Sequence, residues 1–553
     1  MSSLRSINPY FLKYKWHLLG GIIFVILSTV FAGLVNDMVG KATNVIVEAK
    51  AKNITPGLST FVKYALLILG FALAKGVFMF FMRQTMIVMS RHIEFDQKNE
   101  LYAHYQLFDA SFFKQYTTGD MMNRISEDVG KVRMYTGPAI MYLVNTFATV
   151  VIVLIFMLQS NWKLTLLVLA PLPFLSYVIY RVSDLINKRS KIVQQEQSKL
   201  TSHAQETYSA VRVIKAYARE NFYIQKLSDL NNDYKNSNLK LSIVEAMFQP
   251  VMVLMIGISV IATVWYGGRL VIHGEIKPGY ITEFILHVYL LTWPFASLGW
   301  VTSLIQRAEA SQARINEFLG YKPAIQSPTN GLTHIDGSIE FKNVSFTYKD
   351  SGIEALRNLS FKLEKGKTLG IMGGVGSGKT TIADLLVRLY DTSDGEILID
   401  GNPIRNYDLH ELRRHMAYVP QDVFLFSDTI RNNIAFSTGR TYSEQDIEDA
   451  ARKAGVYDNI MGFPERFNTL VGERGVTLSG GQKQRISIAR AILARPQIMI
   501  FDDCLSAVDA ETEELILGHL KDVMKDKTCI IISHRESTLR FADKVINLDQ
   551  MVN

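Results

Sequence analysis

Five stretches of this chain contain no Asp, Glu, Lys or Arg over lengths that matter to a membrane: residues 16–36, 134–162, 164–180, 246–268 and 284–306. At about 1.5 Å of rise per residue, roughly 20 helical residues cross about 30 Å of hydrocarbon. A backbone in lipid must also satisfy its own hydrogen bonds, so each run is expected to be a spanning helix. The run 164–180 is short, but Lys163 and Arg181 at its ends can carry their charges to the headgroups. A sixth candidate, 61–82, holds Lys63 near its start and Lys75 inside it. A cation within a span must face a cavity, a partner or an interface. Six spans return the chain to the side on which it begins. The opening MSSLRSINPYFLKYKW has no cleavage-site pattern after its first apolar run, which therefore reads as a retained span and not a signal peptide.

The basic residues are sided. Residues 83–133 and 181–243, with Arg5, Lys13 and Lys15, carry 21 Lys and Arg, whereas the intervening loops carry six: Lys41, Lys50, Lys52, Lys163, Arg269 and Lys277. This bias puts both long loops, both termini and the second half of the chain in the cytoplasm, beneath a multi-pass cytoplasmic (inner) membrane domain in the lipid bilayer. The net charge of +7 hides an uneven distribution, with 32 basic against 20 acidic residues in 1–330 and 27 against 32 in 331–553. The excess belongs to the membrane half, so no nucleic-acid partner is expected. Cys504 and Cys529 are too few for a disulfide framework and fit a reducing compartment.

Between 183 and 240 the apolar positions Leu200, Ala204, Tyr208, Val211 and Ile214 recur at helical spacing, which predicts membrane helices continuing into the cytoplasm as paired stalks. Gly, Pro, Ser, Thr and Asn then collect in GYKPAIQSPTNGLTHIDG. The expected organisation is a transmembrane domain over 1–317, a linker over 318–336 and a soluble domain over 337–553.

The soluble half opens with two strand patterns, 339–348 and 368–374, and the second runs into Gly373-Gly374-Val375-Gly376-Ser377-Gly378-Lys379-Thr380, followed by Thr381 and an apolar helical face. This is a complete phosphate loop. Glycines turn successive backbone N–H groups toward phosphate oxygens, the helix N-terminus adds a positive end, Lys379 reaches the β and γ phosphates, and Thr380 offers its hydroxyl to Mg²⁺. A second apolar strand, Ile498-Met499-Ile500-Phe501, ends in Asp502-Asp503. A carboxylate at a strand's carboxyl end beside a phosphate loop can hold Mg²⁺, and Asp502 is assigned that role. ATP and Mg²⁺ are the expected cofactors.

Leu478-Ser479-Gly480-Gly481-Gln482, followed by Lys483-Gln484-Arg485, completes a pattern that resembles the ATP-binding cassette exporter half-transporters over nearly the whole chain. The resemblance implies a six-helix α-helical transmembrane domain followed by an α/β P-loop cassette, with ATP hydrolysis coupled to transport. It also implies roles for further residues. Tyr348 resembles the aromatic residue that stacks on adenine, Gln421 the glutamine at Mg²⁺, and His534 the switch histidine at the γ-phosphate. Ser479, Gly480, Gly481 and Gln482 resemble the signature that engages ATP on the opposite subunit. Gly472-Glu473-Arg474-Gly475 resembles the exporters' relay to the stalks, and Ser506-Ala507-Val508-Asp509 the link between the two ATP sites. Phe112-Phe113, Thr118-Gly119-Asp120, Asn123-Arg124 and Asp128 resemble the first cytoplasmic loop. Glu206, Val213–Ala216 and Glu220 resemble the second, which crosses to the opposite subunit.

Two positions depart from the family pattern. Where efficient exporters carry the glutamate that polarises the attacking water, this chain has Asp503, shorter by one methylene or roughly 1.5 Å, and misplacement on that scale costs up to about 10²-fold in rate. The ending FADKVINLDQMVN also stops sooner than the family's usual last strand and helix. With Asp503 beside an intact signature, the pattern resembles one subunit of a heterodimeric exporter of amphipathic or hydrophobic small molecules or lipids. The alternatives are a homodimeric lipid flippase and an ATP-gated membrane regulator.

Overall fold

The computed structural model describes every residue except 1, 54–56, 437–440, 473–477, 509 and 551–553. The chain forms two compact units, one of residues 1–104 with 121–321, the other of residues 105–120 with 322–553.

In the first unit, five helices among the described residues are long and apolar enough to cross a membrane: Lys15–Ala51, Leu58–Tyr105, Thr118–Ser160, Glu220–Ile272 and Gly279–Leu319. Lys75 does not interrupt its helix, because a lysine side chain leaves the backbone ladder intact. The run 164–180 is divided into two helix segments at Ala170, which itself keeps helical angles of φ −54° and ψ −35°. Asn161, in an extended conformation, caps Trp162–Leu169 by accepting from the Leu164 amide at 2.9 Å. That helix ends at Ala170, and Pro171, which has no N–H to donate, opens the next helix, Pro171–Ser209.

The helices Pro171–Ser209 and Glu220–Ile272 pack along one another, as the stalk reading requires. Between them lies the short helix Val211–Ala216, with Ile214 buried and Val213 exposed. Lipid is as apolar as leucine, so helices here associate through packing and polar pairs. Val153, Met157, Leu164, Leu270, Phe284 and Leu291 form one such packed cluster. Beside it, Glu283 and His287 are buried one helical turn apart; Ser160 donates to Glu283 at 3.2 Å, and the Asn36 amide lies 3.2 Å from His287 Nδ1.

The second unit is an α/β domain with two sheets. An antiparallel sheet has the order β2 (Glu354–Leu363), β1 (Ile339–Thr347), β4 (Asp394–Ile399), β5 (Asn402–Pro403). A parallel sheet has the order β6 (Met416–Val419), β7 (Ile498–Asp502), β8 (Thr528–Ile532), β3 (Thr368–Met372), β9 (Lys544–Asn547). The parallel strands are buried on both faces, which is why β7 and β8 read as continuous apolar runs and not as alternation. The two-residue period still sorts their side chains. Ile498, Ile500, Ile530 and Ile532 join the core shared with β1 and the helix Lys379–Leu386, whereas Met499, Phe501, Cys529 and Ile531 join the core packed by the helix Gly480–Ala494. Both cysteines are free and buried, and burial pushes the Cys529 thiol up to about 12, so neither is a reactive thiolate.

Candidate nucleotide site

Parallel strands send their carboxyl ends to one edge of the sheet, and the loops leaving that edge meet. Four neighbouring strands do this here. The phosphate loop follows β3, His534 lies two residues beyond β8, Asp502 ends β7 with Asp503 next, and Gln421 lies two residues beyond β6. Residues far apart in sequence are thus collected in the order loop, His534, Asp502, Gln421. The Ser533 amide donates to the Ile371 carbonyl at 3.2 Å and continues the β3–β8 pairing toward the site.

The phosphate loop turns through two left-handed glycines, Gly376 at φ +83° and Gly378 at φ +89°. Gly378 also lies against β2, where a Cβ would come within 2.3 Å of the Ala355 carbonyl oxygen, so no larger residue fits. Val375 forms the exposed tip of the loop. Lys379 is buried, and its ammonium donates to the Gly373 and Gly374 carbonyls at 2.8 and 2.6 Å. Burial lowers its pKa, opposed by the charges of Asp549, Asp502 and Asp503. Its Nζ also lies 3.5 Å from Ser377 Oγ. A cation fixed against the carbonyls of a glycine-rich loop at a helix N-terminus is suited to polyphosphate.

Asp502 is buried, and burial raises its pKa, while hydrogen bonds to Thr380 and Tyr418 hold the charged form. A buried carboxylate with a hydroxyl neighbour and an exposed glutamine beyond the next strand is an oxygen donor set that suits Mg²⁺, which keeps several of its waters. Bound there, Mg²⁺ neutralises charge on the phosphates of ATP. Asp503 occupies the left-handed region at φ +44°, where Asp is tolerated better than most residues. Its backbone is tied by its own N–H to the Ile532 carbonyl at 2.9 Å and by Ser506 Oγ to its carbonyl at 2.9 Å. Gln421 and His534 are exposed at the edge.

Ser479 caps the helix Gly480–Ala494 in a reciprocal box: its Oγ accepts from the Gln482 amide at 3.3 Å, and Gln482 Oε1 accepts from the Ser479 amide at 2.9 Å. Gly480 and Gly481 form the first turn, whose amides have no partner within the helix. Among the described residues, no hydrogen bond joins 479–482 to the phosphate loop of the same chain. Glu473, Arg474, Gly475 and Asp509 lie outside the described residues.

The loop assignments divide between the two units. Phe112 is buried in the short helix Ala110–Gln115 of the cassette unit. Arg124 and Asp128 belong to the membrane unit. The Arg124 guanidinium lies 3.8 Å from the Phe318 ring centroid, and Asp128 accepts from Arg314 Nε at 2.8 Å and from Ser311 at 2.9 Å, fastening this segment to the helix Gly279–Leu319.

Sequence reasoning missed four participants. Gln484 donates to Ser506 Oγ and accepts from the Ala507 amide, both at 3.1 Å, tying the signature helix to the segment after Asp503. Asp549 accepts from the Gly374 amide at 2.9 Å, a carboxylate on a phosphate-loop donor. Lys114 places its ammonium 4.1 Å from the Tyr348 ring centroid, while the Tyr348 hydroxyl is 3.0 Å from Thr381 Oγ1. Asp384, on the phosphate-loop helix, is pushed up to about 6 by burial, with Lys114 drawing it back down. Only Gln484 had a sequence signal, its place directly behind the signature.

Comparison with known proteins agrees with this geometry. Residues 18–295 match the family model described as the ABC transporter transmembrane region, and residues 356–506 match the one described as ABC transporter. The chain is 36% identical over 451 residues to an uncharacterized ABC transporter ATP-binding protein, YknU, of Bacillus subtilis, covering 81% of this chain and 77% of that one. It is 36% identical over 436 residues to the multidrug resistance-like ATP-binding protein MdlA of Escherichia coli, covering 79% and 74%. It is 31% identical over 553 residues to an ATP-dependent lipid A-core flippase of Photobacterium profundum, covering 99% and 93%. With its apolar helices and its phosphate-binding cassette, the chain is a multi-pass inner-membrane protein with a cytoplasmic, ATP-hydrolysing domain, and it belongs to the ATP-binding cassette transporter family.

Proposed function

We propose that this chain is one half of a dimeric transporter that uses ATP to move a lipid-like amphiphile across the membrane. In this reading residues 1–317 are the translocating domain, 318–336 the linker and 337–553 the nucleotide-binding domain. Lys379, Thr380, Asp502, Gln421, Asp503 and His534 act on the nucleotide of this chain, and Ser479, Gly480 and Gly481 on that of the partner. The observation that carries the substrate class is a cavity of about 340 Å³ in the membrane unit. Lys75 and Arg83 line it together with Asn145, Thr149, Met141 and Trp293, and no acidic residue faces it among those described. Two cations beside hydroxyl, amide, thioether and indole groups complement an apolar body with an anionic head.

In the first reading the chain pairs with a second copy of itself, and the relatives named as lipid flippases support its lipid-like cargo. Asp503 favours a second reading, an unequal pair in which this chain's own site turns over slowly and its signature completes the faster site of a different partner. The chain purified alone into sealed proteoliposomes tests both. We expect Mg-ATP to drive a fluorescent anionic phospholipid between leaflets, at a rate that falls at least fivefold in Lys75→Gln. Transport unaffected by Lys75→Gln removes the cavity from the pathway. A chain inactive alone, but active with a co-purified homologue, selects the unequal pair.

A further inference from the structure

The first cytoplasmic loop delivers a cation to the residue assigned to the base of the nucleotide. Asp109 caps the helix Ala110–Gln115 by accepting from the Phe112 amide at 3.1 Å, and its other oxygen accepts from the Ala324 amide at 3.0 Å. Phe112 is buried beneath, 3.9 Å between ring centroids from Phe108. With its start and its underside both fixed, this helix carries Lys114 to one place. There the ammonium sits in a corner of two aromatic rings: Tyr348 at 4.1 Å and Tyr390 at 5.2 Å from the respective centroids, the rings 87° to each other and their centroids 5.5 Å apart. Asp384 and Lys114 line the same cavity of about 810 Å³, so a carboxylate waits beside the ammonium if it leaves the rings.

A cation over a ring face and a purine stacked on that face need the same electron-rich surface. We propose that Lys114 and the adenine base compete for Tyr348, so that base binding expels the ammonium from the aromatic corner and the first cytoplasmic loop thereby registers an occupied site. Lys114 is a positioning residue in this scheme; it touches neither the phosphates nor the attacking water. The inference rests on the nucleotide site proposed above, and specifically on Tyr348 as the stacking residue.

Three consequences separate this from a structural role for Lys114. In the full chain in nanodiscs, Lys114→Met should bind ATP about five times more tightly. Inorganic tripolyphosphate, which has no base, should bind as it does to the unaltered chain. Lys114→Arg, whose guanidinium also covers aromatic faces, should restore the weaker ATP binding. In a Tyr348→Ala background the Lys114→Met effect should vanish, since the contested surface is gone. ATP affinity unchanged or weakened in Lys114→Met, while Tyr348→Ala weakens ATP, overturns the competition and leaves the site standing. Equal tightening of ATP and tripolyphosphate overturns it as well, by making the effect one of charge on the phosphates. Unchanged ATP binding in Tyr348→Ala overturns the stacking assignment, and the competition with it.

Discussion

Two glycines of the phosphate loop share a backbone conformation but not their surroundings, and that difference can be measured. Gly376 has φ +83° with nothing within 4 Å of a Cβ placed on it, whereas Gly378 has φ +89° with a Cβ 2.3 Å from the Ala355 carbonyl oxygen and 2.8 Å from Leu356 Cδ2. Alanine at either position meets the left-handed penalty of about 1–2 kcal/mol. At 378 it must also push back a β2 carbonyl by at least 0.7 Å to reach 3.0 Å, since 2.3 Å is below any real contact. Overpacking of that kind costs about 1–3 kcal/mol more. The expected losses are therefore about 1–2 kcal/mol for Gly376→Ala and about 2–5 kcal/mol for Gly378→Ala. For a domain of this size each kcal/mol is worth roughly 2–4 °C in Tm. Thermal unfolding of the full chain in detergent, followed by a thiol-reactive dye that reports exposure of the buried cassette cysteines Cys504 and Cys529, should show a clearly larger drop for Gly378→Ala, and that variant alone should lose ATP binding at temperatures where both are folded. Equal shifts in the two variants would refute the assignment of the extra cost to the β2 contact.

Lys379→Ala removes the cation held by the Gly373 and Gly374 carbonyls and should abolish ATP binding at this chain's own loop, read by site-resolved photolabelling, while the loop of an unaltered partner chain still labels. Asp503→Glu adds about 1.5 Å of reach toward the attacking water and should raise hydrolysis at the same loop by tenfold or more; single-turnover measurement checks it, and an unchanged rate removes Asp503 from that position. Ser479→Arg places bulk and charge at the first turn of the signature helix and should nearly abolish steady-state turnover with local ATP binding retained, measured by the same photolabelling beside phosphate release. For topology, single cysteines at Ile125 and Lys215 should resist an impermeant thiol reagent in intact cells and react after permeabilisation; labelling of both in intact cells reverses the orientation.

How much of this was legible in the sequence depends on the distance over which each feature is encoded. The phosphate loop is local: eight consecutive residues fix both the turns and the groups that line them, so its chemistry is readable before any fold is known. Asp502 is nearly so, because an apolar strand ending in a carboxylate is a local pattern too. Gln421 and His534 were legible only through family resemblance, since nothing in YVPQD or IISHR says that β6 and β8 flank β7. The division at Ala170 is signalled by Pro171, whose missing N–H is a feature that the absence of charge over 164–180 does not carry. Lys114 over Tyr348 had no signal at all, for the two residues lie 234 positions apart and belong to patterns with no shared period.

The capping box at the signature carries the argument for a second cassette. A helix N-terminus with satisfied side chains and open first-turn amides is suited to an incoming anion and needs little rearrangement to receive it. Ser479 and Gln482 answer each other, the Lys483 amide closes onto the Ser479 carbonyl at 3.0 Å, and Gly480 and Gly481 are left with amides and no side chains to shield them. The chain's own phosphate loop makes no hydrogen bond with this surface among the described residues. Gln484 instead anchors it to Ser506 and Ala507, immediately after Asp503. The signature is therefore coupled through two hydrogen bonds to the segment after β7, and in the dimer proposed above a phosphate arriving on Gly480 and Gly481 would pull on the segment that carries this chain's own Asp503. In that proposed dimer such a linkage would make the two ATP sites interdependent even where their catalytic carboxylates differ.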